Sequence, residues 1–209
     1  MDQYYYEYKD DGDVKYCYPG TQVLVNKFDI HNGQQLSKVE REISIVKAAV
    51  LADRITGNFD LAHLKSIHKF LFEDIYDWAG QIRTVDIAKG NIFCLVQFIE
   101  VQFSELYEKL KQDNFLKGEK DIEYVSKKIA YYLSEINVIH PFREGNGRTQ
   151  RIFCQQLCKN TGNFYLDFSM AGEGEMLEAS VAAFMCNYEK MEALIRKCVK
   201  EIDSLDRCR

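Results

Sequence analysis

Proline occupies two of 209 positions, Pro19 and Pro141. That is about 1%, against roughly 5% in an ordinary chain. Proline lacks the backbone N–H and clashes with the preceding turn, so it is the strongest interruption a helix can meet. A chain with so few interruptions has room for long helices, and its apolar spacing uses that room. Leu36, Val39, Ile43, Val46 and Val50 recur at helical intervals, which predicts an amphipathic helix over 34–55, ended by Gly57-Asn58. Asp60 is a suitable N-cap for a second helix over 61–78, with Leu61, Leu64, Ile67, His68, Leu71 and Phe72 on its buried stripe and Gly80 closing it. His63 and His68 read as packing or surface residues of that helix. Further helices are expected over 99–111, 121–137, 148–160, 173–186 and 188–203. Residues 81–96 change period to an alternation turned at Lys89-Gly90-Asn91, the pattern of a short β-hairpin. The expected fold is all-α, a bundle of about seven to eight helices with one short β-hairpin.

Composition narrows the class. Hydrophobic residues are 46% and charged residues 28%, enough apolar surface to offset chain entropy and exclude disorder as the main state. A net charge of −5 does not suit a general nucleic-acid binder. Seven cysteines, an odd number without paired spacing, read as free thiols in a reducing compartment. Cys154 and Cys158 are four apart, but no His or Cys pair stands nearby to complete a zinc site. No signal peptide and no long apolar run is visible, so the expected location is the cytoplasm, without membrane or nucleic-acid partners. Export by a specialised secretion machine stays open. Residues 1–17, with Tyr4, Tyr5 and Tyr6, read as an arm packed on a domain spanning 18–205.

One stretch carries chemistry: His140-Pro141-Phe142-Arg143-Glu144-Gly145-Asn146-Gly147-Arg148-Thr149-Gln150-Arg151. It joins the end of one predicted helix to the start of another. Gly145 and Gly147 let backbone N–H groups face a concavity without a Cβ in the way. The helix N-terminus beyond them favours an anion. Arg148 and Arg151, three apart, share a helix face and can reach the same phosphates. Glu144 is a hard oxygen donor suited to Mg²⁺ on phosphates. His140 titrates near neutrality and can take a proton from a hydroxyl. Each residue alone has a plainer reading, since Gly-Asn-Gly is often only a turn and an Arg at a helix start is often solvated. The constellation reads as a nucleotide phosphate cradle with a general base at its edge. It lacks the Gly-Lys-Ser/Thr of a Walker A loop, and no strand leads into it as a dinucleotide fingerprint requires.

His140 to Arg148 with Arg151 resembles the full Fic signature, HPFx(D/E)GNGRxxR, without substitution. Phe70–Arg83 resembles the family's helix before its flap, Lys89–Cys94 the flap hairpin, and Tyr18–Lys27 the start of many bacterial members. The resemblance covers roughly residues 18 to 200. It implies a Fic fold that transfers AMP from ATP to a Ser, Thr or Tyr hydroxyl of a target protein. His140 would deprotonate that hydroxyl. Glu144 would hold Mg²⁺ between the α- and β-phosphates. Gly145, Asn146 and Gly147 would form the anion hole, with Arg148 on the β-phosphate and Arg151 on the γ-phosphate. Lys89 and Gly90 of the flap would clamp the target segment as an added strand, and Phe142 would plug into the core. Gly147 stands where Doc-like kinases resemble a variant with Lys, which favours adenylyl transfer.

Many family members resemble one another in an inhibitory (S/T)xxxE(G/N) helix whose Glu pairs with the second Arg. Ser169 to Gly174 fits the string, but about twenty residues after the motif helix. There Ser169 reads as a helix cap and Glu173 as a first-turn residue. Restraint would then fall to an antitoxin or another partner, and self-association stays open. The expected function is a toxin-like protein adenylyltransferase held in check in this way. Two alternatives accompany it: a transferase of UMP, phosphocholine or another moiety from the same pocket, and a non-enzymatic module that only binds nucleotide. The intact His140 argues against the last, because a pure binder has no use for a base there.

Overall fold

The structure, a computed structural model, describes residues 15–51, 54–172 and 174–202. The tyrosines at 4–6, Glu173 and Cys208 lie outside the described residues. The chain divides into two compact units. The first contains the residues up to Val101 together with His140–Thr149, and the second contains Gln102–Ile139 together with the residues from Gln150 onward.

In the first unit α1 (Gly33–Leu51) packs on α2 (Leu61–Phe72). The Asp60 carboxylate caps α2, accepting the His63 N–H at 2.7 Å. Leu64, Ile67, His68, Leu71 and Phe72 are buried as expected, and so is His63. The helix stops at Phe72, shorter than the predicted 61–78. Gly80 follows with φ +78, where an added Cβ would meet the Lys69 Cβ at 2.7 Å. The apolar stripe predicted for α1 holds at Leu36, which is buried, and fails toward the C-terminal end. Val46 and Val50 are 68% and 45% exposed, whereas Glu40, Ser44 and Leu51 face inward. Two polar residues sit on the inner face because they have a partner there, the half-buried Arg148. The hairpin forms, but with two-residue strands, β1 (Ala88–Lys89) and β2 (Asn91–Ile92), paired Ala88 to Ile92 and Lys89 to Asn91. Gly90 takes φ +74 at its tip.

In the second unit α4 (Ile122–Ile139) packs on α7 (Glu189–Cys198) and α6 (Glu175–Phe184). Helices α3 (Ile99–Gln112) and α5 (Asn146–Lys159) each have residues in both units. Phe153, Cys154, Leu157 and Cys158 form the buried stripe of α5. Two expectations fail here. The last helix stops at Cys198 rather than 203, because Val199–Glu201 pairs as strand β4 with β3 (Phe164–Leu166). Ser169 does not cap α6: it lies in a 3-10 turn, its N–H donating to Asp167, and Gly174 precedes α6. The all-α expectation with one hairpin holds otherwise, with seven α-helices among the described residues. None of these helices is long and apolar enough to cross a membrane.

Candidate active site

The motif loop leaves α4 at His140, which is 6% exposed and has φ +46. A side chain in that left-handed region is strained, at a cost of order 1–3 kcal/mol, unless its surroundings hold it. Arg83 does the holding. Its Nε donates to the His140 carbonyl at 2.8 Å, and its backbone N–H donates to the Pro141 carbonyl at 2.9 Å. Nη1 of the same guanidinium donates to the Val85 carbonyl at 2.8 Å, and Nη2 donates to that of Cys94. One buried cation thus ties the two roots of the hairpin to the histidine. The ring of Phe93 lies on the His140 imidazole, 3.8 Å between centroids at 16°.

The rest of the loop is closed by Asn146. Its side-chain oxygen accepts the Phe142 N–H at 2.9 Å and its amide donates to the Phe142 carbonyl at 2.7 Å. That side chain is spent on the loop, so what Asn146 can offer an anion is its backbone N–H at the start of α5. Phe142 is buried against His68, as a core plug would be. Gly145 has φ +79, and an added Cβ would sit 2.4 Å from the Phe72 ring. No other residue fits there. Its N–H donates to the Glu144 carboxylate at 2.8 Å, and the Glu144 carbonyl accepts from His68 at 2.9 Å. Burial pushes the His68 imidazole down to about 3, so it is neutral at any working pH.

Arg148 is fixed from several sides. It donates to Ser44 Oγ at 3.0 Å and to Glu40, stands 3.8 Å from Glu144, and lies over the Phe72 ring at 4.7 Å. Tyr76 donates to the second oxygen of Glu40. Burial raises the Glu40 carboxyl above the usual range, with the Arg148 charge opposing and the Glu144 charge reinforcing. Burial also disfavours the Arg148 charge, but Glu40, Glu144 and Tyr76 together outweigh it and the guanidinium is held above its ordinary value.

Glu144, Gly145, Asn146, Gly147 and Arg148 therefore share the His140–Thr149 segment of the first unit, with His140 at its start. Lys89 and Gly90 form the hairpin tip of that unit. Arg151 is half-buried in α5, three residues on from Arg148 and within the second unit. No group of three His, Cys, Asp or Glu that could hold a metal occurs among the described residues. Glu144 alone, its side chain 29% exposed, fits Mg²⁺, which commonly takes one or two carboxylates and completes its shell with phosphate oxygens and water. Sequence reasoning missed Glu40, Ser44, Tyr76 and Arg83, and read His68 as a packing or surface residue. The available signals were Glu40 and Ser44, four apart on one face of α1, and an arginine three after Gly80.

Comparison with known proteins bears on this geometry. A family model described as the Fic/DOC family matches residues 58–158. Protein adenylyltransferase VbhT of Bartonella schoenbuchensis is 38% identical over 188 residues, 89% of this chain and 39% of that protein's length. A protein of Sinorhizobium fredii named "Probable protein adenylyltransferase y4lH" is 36% identical over 185 residues, 88% of this chain and 94% of its own. The crystal structure of BepC, a VirB-translocated effector of Bartonella tribocorum with bound AMPPNP, superposes with a TM-score of 0.86 at 27% identity, covering 93% of this chain and 100% of that one.

Proposed function

The chain belongs to the Fic/DOC family, and from that premise we propose that it transfers AMP from ATP to a hydroxyl side chain of a protein. One observation carries the reading: a complete His-Pro-Phe-x-Glu-Gly-Asn-Gly-Arg loop whose Gly145 N–H already grips an anionic oxygen. Relatives named protein adenylyltransferase and a neighbour holding AMPPNP support it.

In this reading His140 takes the proton of the target hydroxyl while its oxygen bonds to the α-phosphorus. The bond from that phosphorus to the α,β-bridging oxygen breaks, and pyrophosphate leaves with the electron pair. The N–H groups of Gly145, Asn146 and Gly147 hold phosphate oxygens. Arg148 holds the β-phosphate and Arg151, a helical turn on, the γ-phosphate. Glu144 would be the protein's ligand to Mg²⁺, which would supply charge neutralisation on the phosphates. Lys89 and Gly90 receive the target segment along the hairpin edge. Catalysis is then positioning, charge neutralisation and one proton transfer. Restraint comes from a partner carboxylate directed at Arg151.

The test incubates the chain, and His140→Ala, with a bacterial lysate and ATP labelled at the α- or γ-phosphorus, with labelled GTP, UTP, CTP and CDP-choline in parallel. Label from α-ATP on protein, absent with the γ-label and with His140→Ala, is expected. Label from the γ-phosphorus would make it a kinase. Preference for another donor would change the moiety, and label from none would reduce it to a binding module.

A further inference from the structure

His68 sits in the middle of α2, buried, and both its ring nitrogens have backbone partners. The Gly80 N–H points at Nδ1 at 2.8 Å, and Nε2 lies 2.9 Å from the Glu144 carbonyl oxygen. A backbone N–H only donates, so Nδ1 carries the lone pair; a carbonyl only accepts, so Nε2 carries the proton. The partners assign the tautomer. The ring cannot turn, because it is stacked on Phe142 at 3.9 Å and 17° and lies 4.8 Å from the Phe72 ring.

This arrangement acts on the peptide unit between Glu144 and Gly145. In a planar trans peptide the C=O and N–H point in opposite directions. A donor that fixes the carbonyl therefore aims the N–H. Held from His68, the Gly145 N–H faces away from α2, and what it meets there is a carboxylate oxygen of Glu144 at 2.8 Å. The position beyond that N–H already takes an anionic oxygen.

We propose that His68 is a positioning residue: by holding the Glu144 carbonyl it keeps the Gly145 N–H aimed at the place where a nucleotide phosphate oxygen binds. The proposal rests on the adenylyl-transfer reading for its ligand, and on the loop geometry alone for the orientation of the peptide. A phosphate oxygen replaces the Glu144 carboxylate on that N–H. A histidine that merely filled the core would do as well as Leu or Phe there. A buried imidazole with two partners is retained because each partner needs it.

Three substitutions separate the readings. His68→Gln places an amide N–H near the position of Nε2 and keeps the donor to Glu144. His68→Asn places a carbonyl near Nδ1 and keeps the acceptor for Gly80, but does not reach Glu144. His68→Phe keeps the stack on Phe142 and donates nothing. Two measurements are made well below each variant's melting temperature: amide exchange at Gly145 by NMR without nucleotide, and affinity for ADP beside adenosine, which has no phosphate. In Phe and Asn the Gly145 amide should exchange faster, and ADP affinity should fall about ten- to a hundredfold, the worth of one hydrogen bond to a charged group. Adenosine affinity should stay the same. In Gln both quantities should stay within about threefold of wild type, the order of one weak neutral contact.

Unchanged ADP affinity in Phe and Asn would overturn the proposal, and so would equal losses in all three variants, which would make His68 a packing residue. If the wild type binds no ADP while Gly145 exchange responds as expected, the nucleotide reading fails and the peptide-orienting role stands without it. Should His68→Phe not fold, His68→Asn carries the same arm.

Discussion

At the scale of single residues, His140 and His68 share a side chain and divide the labour. His140→Ala should lower transfer by about 10²–10⁴-fold and leave ATP affinity within a few-fold, because in the proposed mechanism the imidazole serves the target hydroxyl and not the nucleotide. Isothermal titration beside a labelling assay checks both halves. His68 leaves its mark on stability instead. Its folded value of about 3 lies below the ordinary 6.5, so between those values the unfolded chain binds a proton that the folded chain refuses. Stability should therefore be complete above pH 6.5 and fall as the pH drops toward 3, by up to about 1.4 kcal/mol per pH unit for this one proton. Urea titrations over that range should show a shallower fall in His68→Gln. The sequence displayed His140 inside an unmistakable string. It displayed His68 only as a polar residue on an apolar stripe, since its meaning lies in Gly80 and Glu144, far away along the chain.

Among the elements, α2 and the start of α5 meet with no space to spare. Gly145→Ala places a methyl 2.4 Å from the Phe72 ring at φ +79. Overpacking and the left-handed backbone together should cost about 2–4 kcal/mol. A shifted urea midpoint would show it, and Phe72→Leu in the same chain should recover the steric share. Helix α1 gives the opposite case. Its periodicity nominated Val46 and Val50 for the core, yet they are 68% and 45% exposed, so exchanging both for Gln should move stability by less than about 1 kcal/mol in thermal denaturation. The pattern misled because the inner face of α1 is built for Arg148 through Glu40 and Ser44, and a hydrophobicity rule scores a buried carboxylate as surface. Strand β4 was missed for a related reason: Val199–Glu201 continues the helical pattern of α7 and becomes a strand only by pairing with β3.

Across the whole molecule, thiol chemistry tests burial in one experiment. Cys186 is exposed and Cys94 partly so, whereas Cys17, Cys154, Cys158 and Cys198 are buried. Burial raises the Cys154 thiol well above its usual range and pushes Cys158 up to about 12. Of these six, a mild alkylating reagent should modify Cys186 first and Cys94 more slowly, leaving the buried four until the chain unfolds. Mass spectrometry of peptides from the native and the urea-treated protein gives the comparison. The helical class and the hairpin were legible because they depend on local spacing and on the scarcity of proline. The hold of Arg83 on His140 and of Arg148 on Ser44 and Glu40 was not, because these partners lie 57, 104 and 108 residues away along the chain. Arg83 has a practical corollary. Since one buried guanidinium anchors both hairpin roots and the histidine backbone, the tip between them resembles an interchangeable bit in a fixed chuck. If the hairpin tip receives the target segment as proposed, residues 88–92 are the ones to graft for a new substrate, with Val85, Cys94 and their anchor untouched.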